Sequence, residues 1–421
     1  MARFLHLADI HLGFDRYGSS ERTKDFFKSF NDVIERYAID AAVDFVLIAG
    51  DLFEHRNIQP AILNQAQIAL KKLQAAAIPV LAIEGNHDNR PYGTPTSWLK
   101  YLSDWGLLKL LEPNPATDEA AFYQPWSDRT RRGGYIDLEC GVRVLGSSWY
   151  GAAAPQAIQQ IANGLQQLPV GPAHTVLMFH HGLQDQVARY AGALRYEEVR
   201  PLKAAGVDYL ALGHIHKNYA EEGWIFNPGS LEANNIEESQ YQRGVYLVEI
   251  NGQGIQATLK QDYHQRPIVR LNLKVRGQET LEDVEQMAIA AVTTAVDTGE
   301  IKPDLQPIVE LRIEGQVGFE RLDLDIRQLQ NQLQQQSNAL IFLLKYEVDQ
   351  VAYASPLSDE SHRLQVEQEV FHDLLSANNV YKKRAPMLAQ GLIDLKDMSL
   401  EDAAEAAQYT FLQTLLDDEP A

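Results

Sequence analysis

The chain has 421 residues, more than a single hydrophobic core usually serves, so its length predicts one large domain with one or two smaller units. Its formal net charge of -20 argues against nucleic-acid binding through bulk electrostatic attraction, because an acidic surface repels the phosphate backbone. The single cysteine, Cys140, excludes an intrachain disulfide and a cysteine-based zinc site.

Residues 1–9 lack the pattern of a secretory signal peptide, since no basic segment, long apolar segment or small-residue cleavage site follows Arg3. The sequence also contains no uninterrupted apolar run of about 18 residues, which a membrane-spanning helix would need. We therefore expect a cytoplasmic protein.

Residues 1–264 alternate short β-branched runs with amphipathic helical stretches. Helices are predicted at residues 22–42 and 59–77, the second opened by Pro60 in its first turn. This alternation predicts an α/β sandwich. Its strands are predicted at residues 3–8, 45–49, 80–84, 142–147, 175–179, 209–212, 223–226, 244–250 and 255–261.

From Arg266 onwards the pattern changes to a compact βαβαβ order. Thr280 and Asp283 have the spacing of a helix capping box. We predict a small second domain at residues 265–355, after a first domain at residues 1–264. Its elements are predicted at residues 268–275, 281–296, 307–314, 322–336 and 339–348.

The last segment, residues 356–421, predicts two further helices, at residues 360–376 and 399–416. The second of them begins with Ser399 and Asp402, again a helix-capping spacing. Short amphipathic helices at this place either pack back on the body or dock another protein. The sequence leaves both interpretations open.

Residues of the types that bind metals follow five of the predicted strands. The carboxyl ends of neighbouring strands in an α/β sheet meet at one edge, so we expect these residues to converge on one site. Residues two apart in extended backbone point the same way, which predicts that Asp9 and His11, and likewise His214 and His216, face the site together. The candidate residues are Asp9, His11, Asp51, Asn86, His87, His180, His214 and His216.

A mixture of carboxylate, amide and imidazole ligands suits two divalent ions such as Mn²⁺, which would act together on a phosphate ester. His87 lies beside Asn86 without obviously being a ligand, so it is the candidate for protonating the leaving oxygen. Strand alternation cannot decide between His180 and His181, and we favour His180 because it comes first after the apolar run. The expected ligands are Asp9, His11 and His216 for one ion, Asn86, His180 and His214 for the other, and Asp51 as the bridge.

The order D-x-H, G-D, G-N-H-D, H and G-H-x-H resembles the signature of the calcineurin-like metallophosphoesterase superfamily. More narrowly, the chain resembles the SbcD-type DNA repair exonucleases, a family of double-strand-break repair nucleases. The motifs that carry this resemblance are H-L-A-D-I-H-L-G at residues 6–13, E-R and D-F within residues 21–26, A-G-D-L-F at residues 49–53 and G-N-H-D at residues 85–88.

The resemblance implies an αββα metallophosphoesterase sandwich, a small βαβαβ DNA-capping domain and C-terminal helices. It also implies Mn-dependent exonuclease and endonuclease activity on DNA, a homodimer, and a coiled-coil ATPase partner of the SbcC type that the C-terminal helices bind. One departure is Glu54, which stands where family members often carry a histidine. An acidic side chain there is expected to weaken phosphate contact.

A basic stripe interrupts the acidic composition at residues 268–275, where Arg270, Lys274 and the following Arg276 share one face of the predicted strand. The stripe is either an ordinary solvated strand face or a DNA phosphate contact of the capping domain. Two other functions remain open from the sequence. They are a phosphodiesterase for small nucleotides or other non-DNA phosphate esters, and a scaffold in which metals only hold the fold.

Overall fold

A computed structural model describes residues 1–114, 121–186, 192–252, 254–350, 359–376, 381–400 and 404–417. The chain forms two compact units, Met1–Gln350 and Val351–Ala421. No helix in these described ranges is both long and apolar enough to cross a membrane. The predicted domain boundary near residue 264 stays a prediction, and the one near residue 355 lies outside the described residues.

Two six-stranded sheets form the core of the first unit. Its first elements are β1 (Ala2–Leu7), α1 (Ser20–Val33), β2 (Phe45–Ala49), α2 (Pro60–Ala75), β3 (Val80–Ile83), α3 (Trp98–Asp104), β4 (Lys109–Leu110), β5 (Tyr135–Leu138), β6 (Val142–Leu145), α4 (Ala154–Gln166), β7 (His174–His180), α5 (Tyr196–Ala204), β8 (Tyr209–Gly213), β9 (Tyr219–Glu221), β10 (Ile225–Asn227), β11 (Val245–Asn251) and β12 (Gly254–Lys260). The strand orders are β12-β11-β1-β2-β3-β4 in one sheet and β5-β6-β7-β8-β10-β9 in the other.

The two sheets pack face to face, with helices on both outer sides. On β2, Phe45 and Leu47 lie in the core between the sheets, whereas Val46 and Ile48 pack with residues of α1 and α2. A strand buried on both faces needs an unbroken apolar run, which is the pattern that predicted it. Helices α4 and α5 cover the second sheet in the same way. The predicted αββα sandwich is confirmed.

Helices α3, α4 and α5 are absent from the sequence predictions. Helix α4 carries Gly164 near its end, and α5 carries Pro201 inside it. Both residue types have low helix propensity and weaken a helical pattern. Burial of an apolar face against the second sheet overrides that propensity.

Residues 268–350 have the predicted βαβαβ order, with β13 (Ile268–Arg276), α6 (Leu281–Asp297), β14 (Ile308–Val317), α7 (Ile326–Ser337) and β15 (Ile341–Gln350). The strands are parallel in the order β13-β14-β15, and α6 and α7 pack on one face. Thr280 and Asp283 form the predicted capping box. The predicted start of α7 at residue 322 is wrong, because the Asp325 carboxylate accepts the Gln328 N–H at 2.9 Å and begins the helix there.

The opposite face of this sheet carries the basic stripe. Arg270 forms an ion pair at 3.0 Å with Glu310, whose side chain is 1% exposed, and Lys345 lies 2.8 Å from the same carboxylate. Lys274 and Arg276 are exposed. Arg270 is therefore held by a neighbouring carboxylate, and a DNA contact by any of the three basic residues stays a prediction.

In the second unit, the described helices are α8 (Asp359–Ser376), α9 (Ala385–Leu400) and α10 (Glu405–Asp417). The predicted helix at residues 360–376 is confirmed. The helix predicted at residues 399–416 is present as α10, but its predicted start is wrong, because Ser399 belongs to the last turn of α9 and α10 begins at Glu405. Residues 401 and 402 of the predicted cap lie outside the described residues. Helix α9 packs against both α8 and α10.

A buried group of charged side chains joins α1 to the start of β13. The Asp25 carboxylate accepts hydrogen bonds from Arg22 Nη1 at 3.0 Å and from Arg266 Nη2 at 2.8 Å. Arg22 Nη1 also lies 3.3 Å from Glu232, and Arg266 donates to the Gln306 carbonyl just before β14. Arg22 and Asp25 of the E-R and D-F motif at residues 21–26 therefore hold α1 against the start of β13.

Replacing Asp25 with alanine is expected to lower the free energy of unfolding by about 3 kcal/mol, because the buried Arg266 side chain would lose its carboxylate and Arg22 would keep only Glu232. Equilibrium urea denaturation of the full chain measures the effect. Glu21→Ala is the control, since Glu21 pairs with Lys24 at the exposed surface and its loss should leave stability nearly unchanged. Equal losses in the two variants would contradict the assignment.

His6 is fully buried in β1, where its ring nitrogens contact the Tyr209 hydroxyl at 2.9 Å and the Leu212 carbonyl at 3.0 Å. Burial lowers the pKa of His6 to about 3. Because this pKa is below the ordinary value of 6.5, His6 takes up a proton in the unfolded chain at a higher pH than in the folded chain. The stability that neutral His6 contributes is therefore complete above pH 6.5 and is lost as the pH falls towards 3.

His6→Gln should therefore flatten the acid side of the stability curve, by up to about 1.4 kcal/mol per pH unit. Urea denaturation between pH 7 and pH 4, in the presence of a chelator, measures this slope. His174→Gln, at the half-exposed start of β7, is the matched control for the same substitution outside the core. An unchanged slope in His6→Gln would rule out His6 as the source.

Candidate metal centre

The loops that follow β1, β2, β3, β7 and β8 meet at one edge of the sandwich. Asp9 N–H donates to the Gly50 carbonyl at 3.1 Å, and Ile10 N–H donates to the Asp51 carbonyl at 2.9 Å. The backbone N–H of His214 donates to the Asp9 carboxylate at 2.9 Å. These bonds bring together the side chains that the sequence singled out, in two adjacent clusters.

The first cluster consists of Asp9, His11 and His216. The Nε2 atoms of the two histidines are 3.1 Å apart, and each lies about 4 Å from Asp9 Oδ1, at 4.0 and 3.9 Å. Asp9 and His11 are buried, and His216 is partly exposed. One carboxylate oxygen and two ring nitrogens thus converge on one point, as metal ligands do.

The second cluster consists of Asp51, His180, His214 and Asn86. His180 Nε2 lies 3.2 Å from both Asp51 Oδ2 and Asn86 Oδ1, and His214 Nδ1 lies 2.8 Å from the same amide oxygen. Asp51 Oδ1 also accepts the His87 N–H at 2.9 Å. All seven predicted ligand residues therefore lie in the two clusters, with His87 beside them.

The backbone at four of these residues is left-handed. The φ angles are 52° at Asp9, 52° at His11, 55° at Asp51 and 84° at His214. Such conformations cost about 1–3 kcal/mol each for residues with a side chain and concentrate at functional sites. The expectation that Asp9 and His11 face the site through extended backbone is wrong, because both lie in a strained turn beyond β1. His216 lies in the first cluster and His214 in the second.

Two glycines allow the loops to approach so closely. Gly50 has a φ of 96°, and a Cβ there would lie 2.2 Å from His180 Nδ1. A Cβ on Gly85 would lie 2.1 Å from Asp51 Oδ1. The glycine before each of these predicted ligands is therefore required by close packing against another ligand.

Of the two consecutive histidines, the structure brings His180 into the second cluster. The Nε2 of His181 instead contacts the Gly192 carbonyl at 2.9 Å. Asp88, which also follows the G-N-H motif, accepts backbone N–H groups of Gly85 and Phe53, both at 3.1 Å. It therefore holds together the loops that carry Asp51 and Asn86.

The electrostatics of the site favour a bound cation. Burial by itself would raise the pKa of Asp51. The opposite effect of His180 and other neighbouring histidines is larger and holds that pKa well below its ordinary value. Burial lowers the pKa of His180, yet the Asp51 carboxylate raises it to about 9. Burial, with the charge on His180, lowers the pKa of His214 to about 3. Asp51 is thus ionised and His214 neutral, which are the forms in which these residues bind a metal ion, whereas an ion would displace the proton of His180.

His87 is fixed by its backbone and by one ring nitrogen. Its Nδ1 contacts the Glu54 carbonyl at 2.6 Å, and its ring packs edge-on against His11 with the centroids 4.9 Å apart. If Nδ1 carries the proton that bonds this carbonyl, Nε2 is the atom left to exchange a proton. The Glu54 carboxylate turns inward, with Oε2 2.8 Å from His11 Nδ1.

Two residues near the clusters were not anticipated from the sequence. Glu238 Oε1 lies 3.0 Å from His216 Nδ1, and the Trp149 ring lies beside His180 and His214, with centroids 5.7 and 5.2 Å away. Glu238 stands in the polar run E-E-S-Q, which carries no metal-binding signal. Trp149 follows a strand, but an aromatic residue at such a position is typical of the hydrophobic core and indicates no functional role.

Comparisons with known proteins agree with this geometry. Residues 2–218 match the calcineurin-like phosphoesterase family. The DNA double-strand break repair protein Mre11 of Methanosarcina mazei is 29% identical over 281 residues, 66% of this chain and 40% of that protein. The protein of the same name from Archaeoglobus fulgidus is 31% identical over 56% of this chain and 52% of its own length. The protein of that name from Sulfolobus acidocaldarius is 26% identical to this chain over 78% of each of the two chains. The chain thus spans about half the length of the first two relatives.

Proposed function

Since this chain belongs to the calcineurin-like phosphoesterase family, we propose that it is a metal-dependent nuclease that hydrolyses DNA phosphodiester bonds in double-strand-break repair. The observation that carries the proposal is the pair of adjacent clusters, in which carboxylate, amide and imidazole atoms from five loops converge. The similarity to three double-strand-break repair proteins supports DNA as the phosphate ester.

We propose that the clusters hold two divalent ions. Asp51 is the proposed bridge, because its Oδ2 faces His180 while its Oδ1 faces the backbone of His87, next to the first cluster. Manganese is the proposed metal, since a mixture of oxygen and imidazole ligands without cysteine suits it. The proposed ligands are Asp9, His11 and His216 for one ion and Asn86, His180 and His214 for the other.

Divalent ions at such a site supply Lewis acidity, which activates water and neutralises charge on phosphoryl oxygens. The residues of this chain fix the geometry of the reaction. The strained turns at Asp9 and Asp51 present the carboxylates, and the loop bonds between Asp9 and His214 hold the two sheet edges in register. His87 Nε2 is the proposed source of the proton that the leaving oxygen takes up.

We further propose that the protein acts as a homodimer with an SbcC-type coiled-coil ATPase. The net charge of -20 supports the need for a partner that brings DNA to the site. Apolar side chains exposed on the second unit, Val370, Leu374, Met387 and Tyr409, support a docking role for its helices. Lys274 and Arg276 are the proposed DNA phosphate contacts, with Arg270 beside them.

The proposal is tested by incubating the full chain, alone and with the partner ATPase, with an end-labelled DNA duplex and Mn²⁺. We expect shortened products with Mn²⁺, intact DNA with a chelator, and recovery when Mn²⁺ is returned. Bis(p-nitrophenyl) phosphate in parallel distinguishes the alternatives. Hydrolysis of this diester with intact DNA would indicate a phosphodiesterase for small molecules, and no hydrolysis of either would indicate a scaffold.

A further inference from the structure

The histidines of the first cluster are both backed by buried carboxylates. Glu54 Oε2 lies 2.8 Å from His11 Nδ1, and Glu238 Oε1 lies 3.0 Å from His216 Nδ1. In each histidine the other ring nitrogen, Nε2, is the one that points into the cluster. Glu54 and Glu238 are only 6% and 9% exposed, so water screens these pairs weakly.

In the second cluster, His180 is held differently. The outer nitrogen of His180, Nδ1, contacts the backbone carbonyl of Ala49 at 2.7 Å. A carbonyl fixes the ring and its tautomer as a carboxylate does, but it carries no net charge. Asp51 is the carboxylate of this cluster, and it faces the inner nitrogen of His180.

The backbone at Glu54 and the carboxylate of Glu238 are both held in place before any ion arrives. The backbone of Glu54 is fixed on two sides, since its N–H donates to the Leu12 carbonyl at 3.0 Å and its carbonyl contacts His87 Nδ1. The Glu238 carboxylate accepts the Asn234 N–H at 2.8 Å and the Asn235 amide at 2.9 Å. Glu238 can therefore orient His216 through a hydrogen bond at little further entropic cost, whereas Glu54 acts on His11 through its nearby charge.

A carboxylate behind an imidazole makes the ligating nitrogen more basic and adds negative charge close to the ion. We propose that Glu54 and Glu238 are positioning residues that make the Asp9–His11–His216 cluster the tighter of the two metal sites, so that it fills first. This inference rests on the proposed metal centre. It gives Glu54 a role in holding a ligand, in place of the weakened phosphate contact expected from the sequence.

The test is calorimetric titration of the chelator-treated full chain with Mn²⁺. The wild type should bind in two steps, and Glu54→Gln or Glu238→Gln should weaken the tighter step by about 10- to 100-fold while the weaker step is unchanged. Glutamine keeps an acceptor oxygen but no charge, so alanine at either position should weaken the tighter step further. Glu54→Asp, which restores the charge, should recover part of the affinity.

Glu237→Gln is the matched control, because this neighbouring carboxylate pairs with Lys345 and contacts neither cluster in the described structure. It should bind Mn²⁺ as the wild type does. Equal weakening of both steps, or no change in either, would overturn the inference. If one glutamine variant fails to fold, the other carries the test by itself.

Two further outcomes separate the inference from its premise. Absence of Mn²⁺ binding in the folded wild type would refute the proposed metal centre itself. Three ions per wild-type chain, with one lost in Glu54→Gln, would make Glu54 a direct ligand together with His11 and His87, which also form a compact group. That result would overturn its role as a positioning residue.

Discussion

Asp51→Asn is expected to lower the rate of Mn²⁺-dependent DNA cleavage on the order of 10³-fold or more, equivalent to about 4 kcal/mol of transition-state stabilisation. Asparagine nearly matches the shape of aspartate and can still accept the His87 N–H. It removes the negative charge that faces His180 at 3.2 Å in a nearly dry site. The two proposed ions would lose the ligand that they share.

The measurement is single-turnover cleavage of an end-labelled duplex, with Mn²⁺ affinity determined on the same preparations. Asp104→Asn is the control, because this carboxylate on α3 is 55% exposed and pairs only with Lys100 in the described structure. Its rate should equal that of the wild type. An Asp51→Asn protein that cleaves DNA within tenfold of the wild-type rate would remove Asp51 from the mechanism.

His87→Gln is expected to reduce kcat by about 10²- to 10⁴-fold, which is the usual contribution of a general acid, while Mn²⁺ affinity stays within a fewfold of wild type. The side chain lies beside both clusters, but its Nδ1 is taken up by the Glu54 carbonyl. Its loss therefore removes a proton donor and leaves the proposed ligands in place.

Leaving-group dependence separates this role from a structural one. The full chain and the variant are compared on DNA, whose alkoxide leaving group needs a proton, and on thymidine 5′-p-nitrophenyl phosphate, whose nitrophenolate does not. We expect a large loss on DNA and a small one on the nitrophenyl ester. Equal losses on both substrates would contradict proton donation by His87.

The strand-end residues could be predicted because their signal is local. Each proposed ligand follows an apolar run that is buried on both faces, and Gly50 and Gly85 mark the turns. The choice of His180 over His181 needed the structure, since adjacent residues in a strand differ only in the face they point to. The left-handed turn at Asp9 and His11 has no sequence marker, because neither residue is glycine.

Contacts between distant residues account for what the sequence did not predict. Glu238 reaches His216 across 22 residues, and Glu310 neutralises Arg270 from a neighbouring strand 40 residues later. The sequence of one strand shows the basic stripe, but it does not show the carboxylate on the neighbouring strand that pairs with it. Helix α9 was not predicted, and the start of α10 was placed too early because a helix-capping spacing at Ser399 falls inside the end of α9.

The most direct test of the proposed two-ion centre is a crystal structure of the chain grown with Mn²⁺ and an anomalous difference map. We expect two peaks at the sheet edge, one among Asp9, His11 and His216 and one among Asn86, His180 and His214, with Asp51 between them. A single peak, or one centred among His11, Glu54 and His87 in place of these two, would contradict it.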